Sequence, residues 1–145
     1  MKLSTNSRYG LRALVDLVAN YDGAPVALCT IAARQQISES YLEQAFATLR
    51  RAGFVRSTRG AQGGYSPAVD PATTTAATVL RALEGSLSIA EDTAAARGDD
   101  PVQRCIRQRL WDRVDEAIER TLSVTLSDLA REHMRMRGDA QIYEI

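Results

Sequence analysis

The chain has 145 residues, 45% of them apolar and 25% charged, which is ordinary for one soluble globular domain. No apolar run reaches the roughly 18 residues that a membrane span requires, so the composition excludes an integral membrane protein. Two cysteines are too few for a disulfide scaffold, and the N-terminal residues lack a signal-peptide core, so we expect a cytoplasmic protein with free thiols.

The formal net charge of zero conceals an asymmetry between two halves of the chain. Residues 1–67 contain eight Lys or Arg against four acidic residues, whereas residues 68–145 contain ten against fourteen. A basic N-terminal half is typical of a surface that meets a polyanion, although an imbalance of this size also arises by scatter. Charge alone leaves nucleic-acid binding open.

Two helices are predicted at the start of the chain. Apolar residues recur at helical spacing in residues 5–21, and Ser4 or Thr5 can accept a hydrogen bond from the first turn. A shorter second helix is predicted over residues 30–36, with Thr30 as its cap.

A third helix follows after a break of about three residues. It begins at Ser38 as the N-cap or at a capping box of Ser40 and Glu43, and it ends at Gly53. Its buried stripe is predicted to contain Leu42, Ala45, Phe46 and Leu49. Two helices joined by a short turn, with a polar face on the second, are typical of a helix-turn-helix.

The segment TRGAQGGY (58–65) raises a choice between a nucleotide-phosphate loop and the tip of a β-hairpin. A phosphate loop needs a following lysine and helix, but no lysine follows and two prolines prevent an immediate helix. With a strand predicted over residues 54–58, the segment is interpreted as the wing of a winged helix. Gly60 and Gly63 would let the backbone turn and approach a phosphate, and Arg59 would project from the tip.

The middle of the chain is predicted to contain one helix and one loop. The helix covers residues 73–84, capped by Thr74 or Thr75 and closed by Gly85. Residues 86–101 are small, polar and acidic, which indicates a loop.

The strongest helical pattern covers residues 102–122. Its apolar members recur mostly every four residues: Ile106, Leu110, Trp111, Val114, Ile118 and Leu122. Such a wide stripe on a small protein favours pairing with the same helix of a second subunit. A helix packed within its own chain is the alternative.

A last helix is predicted over residues 126–135, opened by a capping box of Thr125 and Asp128. The remaining segment, MRGDAQIYEI, is interpreted as a tail that ends in Ile145.

Three stretches resemble the Rrf-type winged-helix transcription regulators: SRYGLRAL, ISESYLEQAFATLRRAGFVRSTRGAQGGY and ATVLRALEG. The resemblance covers essentially residues 1–130. It implies a mainly α fold with a small β-hairpin wing, and a homodimer that binds a pseudopalindromic operator on double-stranded DNA. The corresponding division is a winged helix-turn-helix domain (1–67), a connecting helix and loop (68–101), and a dimerisation helix with a tail (102–145).

The resemblance also implies roles for individual residues. Three residues of the third helix would face base edges: Ser40, Glu43 and Gln44. Three others match the phosphate-contacting region: Ser38, Tyr41 and Arg51. Arg59 matches the wing arginine that enters the minor groove. Gln suits adenine, Glu accepts from the cytosine amino group, and Arg suits a narrow minor groove, so the residue types agree with these roles.

The sensor region departs from the cluster-binding members of the family, which carry three cysteines before the long helix. Here only Cys105 stands at such a position, and Gln108 stands where some members offer a histidine. With Cys29 and His133 scattered elsewhere, ligands are too few for an iron–sulfur cluster, so no cofactor is expected. Cys29 is interpreted as a small buried residue rather than a redox switch. Cys105 could be an exposed thiol open to oxidation.

The cluster-free pattern looks most like the cysteine-metabolism repressors of this family, which use O-acetylserine thiol-lyase (cysteine synthase) as corepressor. Cysteine synthases accept partner tails that end in isoleucine, so Ile145 is a candidate contact, with packing on the dimer as the alternative. A thiol- or cluster-sensing regulator and an interaction module without DNA binding remain the other hypotheses. An enzyme is not expected, because no nucleophile–base constellation is present.

Overall fold

A computed structural model describes residues 2–90 and 100–143, the last four as backbone alone. The first part contains α1 (Thr5–Asn20), α2 (Leu28–Gln35), α3 (Glu39–Arg51), β1 (Val55–Thr58), β2 (Gly64–Pro67) and α4 (Ala76–Glu84). The second part contains α5 (Pro101–Ile106), a π-helical turn (Arg107–Trp111), α6 (Asp112–Thr121) and α7 (Leu126–Tyr143). The predicted mainly α winged-helix fold is confirmed.

One apolar core joins the helices of the first part, the hairpin and α7. Its buried members include Ala13, Leu14, Leu17, Ile31, Leu42, Phe46, Leu49, Val55, Val79 and Leu126. Helix α1 lies at its centre and packs against α2, α3, α4 and α7. The hydroxyl oxygen of Ser4 accepts from the backbone N–H of Ser7 at 3.2 Å, which confirms Ser4 as the cap of α1.

The second helix begins two residues earlier than predicted, and Thr30 is not its cap. Ala27 occupies the N-cap position and makes no side-chain capping bond. The cause is a β-bridge just before the helix, where Val26 and Tyr65 exchange both backbone hydrogen bonds, at 2.8 and 2.9 Å. This bridge fixes the chain one residue before Ala27. The prediction that Cys29 is buried was wrong, since it is exposed near the start of α2.

The turn between α2 and α3 depends on Gln36, which has a left-handed backbone with φ of 55°. Its N–H donates to carbonyls of the last turn of α2, and Ile37 then enters the core. Helix α3 begins at Glu39 with Ser38 as N-cap residue, so the alternative start at a Ser40 box was wrong. The Ser38 hydroxyl does not cap the helix backbone. It forms a hydrogen bond with the Ser40 hydroxyl, with 2.8 Å between the two oxygens.

Strand β1 pairs antiparallel with β2, with Val55 opposite Pro67 and Thr58 opposite Gly64. The hairpin therefore confirms the predicted wing, although the strand starts at Val55 because the N–H of Phe54 still donates to the carbonyl of Leu49 in α3. Gly64 has φ of 153°, and a Cβ there would collide with the carbonyl of Val26. Only glycine lets the wing lie this close to the segment before α2.

Helix α4 begins at Ala76, three residues later than predicted, because the preceding threonines form a turn on the carbonyl of Asp70. The predicted cap Thr75 is confirmed, with its hydroxyl oxygen 3.3 Å from the N–H of Thr78. Gly85, with φ of 94°, ends the helix as predicted. Residues 91–99 of the predicted loop lie outside the described residues.

We call α5, the π turn and α6 together the long helix, since the residues at both junctions are helical. The predicted helix over 102–122 is confirmed within one residue at each end. The π turn was not predicted, since such single turns are rare inside α-helices. Leu122 lies just past the helix, where its carbonyl accepts from the N–H of Ala77 at 2.9 Å.

The last helix is longer than predicted. The Thr125–Asp128 capping box is confirmed by reciprocal bonds of 3.1 and 3.2 Å, but α7 runs to Tyr143 instead of ending at Arg135. Arg135 bonds Glu132 one turn before it and Asp139 one turn after it, which supports the helix through the predicted end. Ile145 lies outside the described residues. Within the described ranges, no helix is long and apolar enough to cross a membrane.

Candidate nucleic-acid interface

Helix α3 presents one polar face to solvent and one apolar face to the core. Ser40, Glu43 and Gln44 share the exposed face at helical spacing. The opposite face contains Leu42, Ala45, Phe46 and Leu49, all with no solvent exposure. Since the buried face is anchored in the core, the helix face that carries the three polar side chains is held toward solvent. This arrangement suits contact with base edges in the major groove of DNA, which is wide enough to admit an α-helix.

The start of α3 carries an exposed aromatic residue. Tyr41 is 56% exposed, and its ring meets the edge of Tyr9 at a centroid distance of 6.1 Å. The guanidinium of Arg12 lies 5.5 Å from the centre of the Tyr9 ring. Ser38 is also exposed, so both phosphate-contacting candidates at this end are open to solvent.

The end of α3 is basic. Arg50 and Arg51 are exposed, and Arg51 donates to the hydroxyl of Thr48 at 3.3 Å. Arg50 donates to the hydroxyl of Ser57 on strand β1 at 3.4 Å, which connects α3 directly to the wing. Arg50 was not among the predicted contacts, although its position next to Arg51 at the end of an amphipathic helix was a signal.

The tip of the wing is open to solvent. Arg59 and Gly60 are exposed, and Gly63 is half-buried. A Cβ on Gly63 would collide with the carbonyl of Thr58, so the tight turn at the tip requires glycine. The structure therefore leaves the predicted minor-groove arginine accessible at the end of the hairpin.

A buried ion pair holds α2 against α1. Asp16 is only 2% exposed, and its carboxylate accepts from Arg34 at 2.6 Å and from the amide of Gln35 at 2.8 Å. Arg12 donates to the backbone carbonyl of Gln35 at 2.8 Å. This network was not predicted, because the sequence around a single acidic residue in an apolar stripe does not indicate which residue pairs with it.

The predicted dimer-interface residues lie mostly on open surface. Ile106, Leu110, Trp111 and Val114 are exposed, and Ile118 and Leu122 are half-buried. Among residues 101–121 none is buried by the described part of the chain. The polar side of the long helix is attached by Asp115, which accepts from the Ser88 hydroxyl at 2.6 Å and from the N–H of Ile89 at 2.9 Å. Arg81 and Glu119 add an ion pair.

The described residues do not assemble a cluster site. No group of three or more His, Cys, Asp or Glu suited to a metal occurs within residues 2–90 and 100–143. Cys29 and Cys105 are both exposed thiols. Because an iron–sulfur cluster needs about four ligands, these residues do not fit one.

The comparisons with known proteins agree with this geometry. Residues 3–132 match the Rrf2 family, described as iron-dependent transcriptional regulators. The regulator CymR of Bacillus subtilis is 40% identical over 131 residues, covering 90% of each chain. The regulator IscR of Vibrio vulnificus is 38% identical over 133 residues, covering 89% of this chain and 77% of IscR.

A solved structure extends the likeness to the fold. The structure of CymR, the global cysteine regulator of B. subtilis, has a TM-score of 0.78 at 39% identity and covers 91% of this chain and 98% of CymR. Both relatives are named as helix-turn-helix transcriptional regulators, which agrees with the expectation that the chain is not an enzyme. The chain belongs to the Rrf2 family of winged-helix, DNA-binding transcription regulators.

Proposed function

We propose that the protein is a repressor that binds a pseudopalindromic operator as a homodimer. One observation carries this proposal: α3 has an exposed polar face and a fully buried opposite face, and a hydrogen bond from Arg50 joins it to the wing. Ser40, Glu43 and Gln44 would read base edges in the major groove. This inference combines the family membership with the exposure of the three side chains.

The contacts to the DNA backbone would surround this reading face. Ser38 and Tyr41 at the start of α3, and Arg51 at its end, would meet phosphates on both sides of the groove. Arg59 would enter the adjacent minor groove, while the backbone at Gly60 and Gly63 would lie close to a DNA phosphate.

The homodimer would form through the long helix. A second copy would bury its exposed apolar residues. This burial would stabilise the dimer by about 25 cal/mol per Å² of apolar surface removed from water. A two-fold dimer also matches a palindromic operator, because each half-site then meets an identical winged helix.

The direct test is fluorescence anisotropy with DNA from upstream of the protein's own gene. Gln44→Ala should weaken specific binding by about 1–3 kcal/mol and relax the preference at one base pair. Arg51→Ala should weaken binding to all sequences and lower the salt slope by about 1. Arg131→Ala on α7 is the matched control, since it removes an exposed arginine from another helix.

The rival function is an interaction module that has kept the fold but does not bind DNA. If no upstream fragment binds more tightly than random DNA, or if Gln44→Ala and Arg131→Ala behave alike, the rival is favoured and the proposed reading face is wrong.

The pathway is a finer proposal, supported by the likeness to the global cysteine regulator of B. subtilis. We place the protein in cysteine or sulfur metabolism, with cysteine synthase as corepressor and without an iron–sulfur cluster. Ile145 is the candidate contact with the enzyme.

Two measurements test this pathway. Deleting Ile145 should abolish binding to cysteine synthase and leave the DNA affinity of the free protein unchanged; equal binding of the truncated protein would sink the proposal. An anaerobic visible spectrum with an iron assay should show a colourless, iron-free protein. Charge-transfer bands with stoichiometric iron would instead favour a cluster-sensing regulator, with Cys105 as the first ligand to mutate.

A further inference from the structure

An apolar groove lies between α1 and α7. Its volume is about 380 Å³, within the range of small-molecule sites. Four apolar side chains line it: Leu11, Val15, Leu129 and Met136. The first three are half-buried and Met136 is 57% exposed. The groove is therefore open to solvent, and its base is formed by apolar side chains.

The acidic groups at this groove already have partners. Asp16 accepts from Arg34 and Gln35, and its carboxylate is almost fully buried. Glu132 accepts from Arg135 at 3.1 Å, and this hydrogen bond lowers the pKa of Glu132. Neither carboxylate is left to attract a cation.

The basic groups at the groove are not matched by acids. Arg12 contacts the carbonyl of Gln35 and the ring of Tyr9, and no carboxylate among the described residues lies within ion-pair distance of it. Arg137 lines an adjoining hollow that shares Asp16, Gln35 and His133, and it too has no such partner in the described ranges. The groove therefore combines an apolar floor with an arginine, Arg12, that has no acidic partner among the described residues.

We propose that this groove binds a small amphipathic carboxylate, with the apolar chain between α1 and α7 and the carboxylate on Arg12. A charged acceptor forms a stronger bond to guanidinium than a backbone carbonyl does. The ligand would therefore draw Arg12 from Gln35, the last residue of α2 and the neighbour of the left-handed Gln36. Binding would loosen the turn that positions α3, so the ligand would weaken operator binding.

Isothermal titration calorimetry on the full-length protein tests the site without DNA. The probes are sodium octanoate and the neutral alcohol 1-octanol, which share one chain and differ in charge. Octanoate should bind at least about tenfold more tightly, because a hydrogen bond to a charged group is worth at least that factor. Arg12→Gln should remove the difference, and Arg8→Gln, one turn earlier on α1 and exposed, should retain it.

A substitution that fills the groove provides the second test of the site. Met136→Trp should block octanoate, and a retained melting temperature would show that the fold is intact. Equal affinities of the two probes, equal losses in both arginine variants, or no heat from octanoate would overturn the proposal. If Met136→Trp instead changes the sedimentation of the dimer while octanoate does not bind, the groove is an interface between copies and the proposal is wrong.

The regulatory part rests on the proposed function and is measured separately. Octanoate should raise the dissociation constant for upstream DNA in the native protein but not in Arg12→Gln. If octanoate binds in calorimetry and leaves DNA affinity unchanged, the coupling through Gln35 is refuted while the site stands. If the native protein binds no DNA specifically, the proposed function fails, and the calorimetry still decides the site.

Discussion

The winged-helix part of the chain and the long helix bury their apolar residues in different ways. In the first, side chains from α1, α2, α3 and the hairpin cover one another, and Phe46 and Leu14 have no solvent exposure. In the long helix, Leu110 is 52% and Trp111 is 41% exposed. The helices of both regions have a strong helical periodicity of apolar residues. Periodicity therefore shows that a helix face will be buried, but it does not show whether the same chain or a second copy buries it.

This difference predicts two kinds of stability. The winged helix should keep its fold at any protein concentration, because its core is internal. The long helix should depend on concentration, because its apolar face gains burial only against another molecule. The following substitutions separate the two.

The largest effect is expected in the internal core. Phe46→Ala removes a fully buried ring that packs on Tyr65 at a centroid distance of 4.8 Å, and it should cost roughly 3–5 kcal/mol of unfolding free energy. Urea denaturation measures this loss. Tyr41→Ala, an exposed aromatic residue of the same helix, should cost less than about 1 kcal/mol. Similar costs for both would mean that α3 is not anchored as described.

A smaller free-energy change is expected in the long helix, and it concerns association. Leu110→Asp places a carboxylate in the proposed interface of both copies, and it should raise the dimer dissociation constant at least about 100-fold. Sedimentation velocity over a dilution series measures the change. Gln108→Asp adds the same charge two residues away at a polar, exposed position and should leave the dimer intact. A Leu110→Asp variant that remains dimeric would place the interface elsewhere.

The junction between the two regions should respond more weakly. Thr125→Ala removes the hydroxyl that caps α7 and should cost about 1 kcal/mol in urea denaturation. Ser127→Ala, two residues later, serves as the control, because the Ser127 hydroxyl makes no hydrogen bond within the described residues. If both substitutions have the same effect, the Thr125 cap does not stabilise the packing of α7 against α1.

The smallest effect is expected from pH. The hydroxyl of Ser7, with further bonds from Ser4, holds the pKa of Glu84 below its ordinary value of 4.5. Since the folded pKa is the lower one, the contribution is complete above pH 4.5 and is lost as pH falls through the folded value. Melting temperatures between about pH 3 and 6 should fall less steeply for Glu84→Gln than for the native protein. An unchanged slope would mean that this contact between α1 and α4 contributes nothing.

The sequence predicted those features that depend on residues close together in the chain. The cap at Ser4, the Thr125–Asp128 box, the wing and the buried stripe of α3 all follow from local spacing. The exposed face of α3 followed in the same way, because a buried stripe defines its opposite side.

The features that were missed depend on contacts between distant residues. The start of α2 is set by the bridge between Val26 and Tyr65, and Asp16 finds Arg34 only after two helices have packed. Cys29 was predicted as buried, but α2 packs with Ile31 and Ala32 toward the core and leaves Cys29 exposed. The continuation of α7 past Arg135 is an exception, because the bonds of Arg135 to Glu132 and Asp139 that support it join residues of one helix.

The attachment of the wing at two points has a consequence for the entropy of binding. Arg50 bonds strand β1, and the Val26–Tyr65 bridge bonds strand β2, so both strands are already ordered before any DNA arrives. Only the tip between the strands, residues 59–63, remains to be immobilised. Ordering a residue costs roughly 1–2 kcal/mol of backbone entropy, so a fully free hairpin of residues 55–67 would lose more than twice as much as this tip. The wing thus enters the complex largely preorganised, which leaves more of the Arg59 interaction as net affinity.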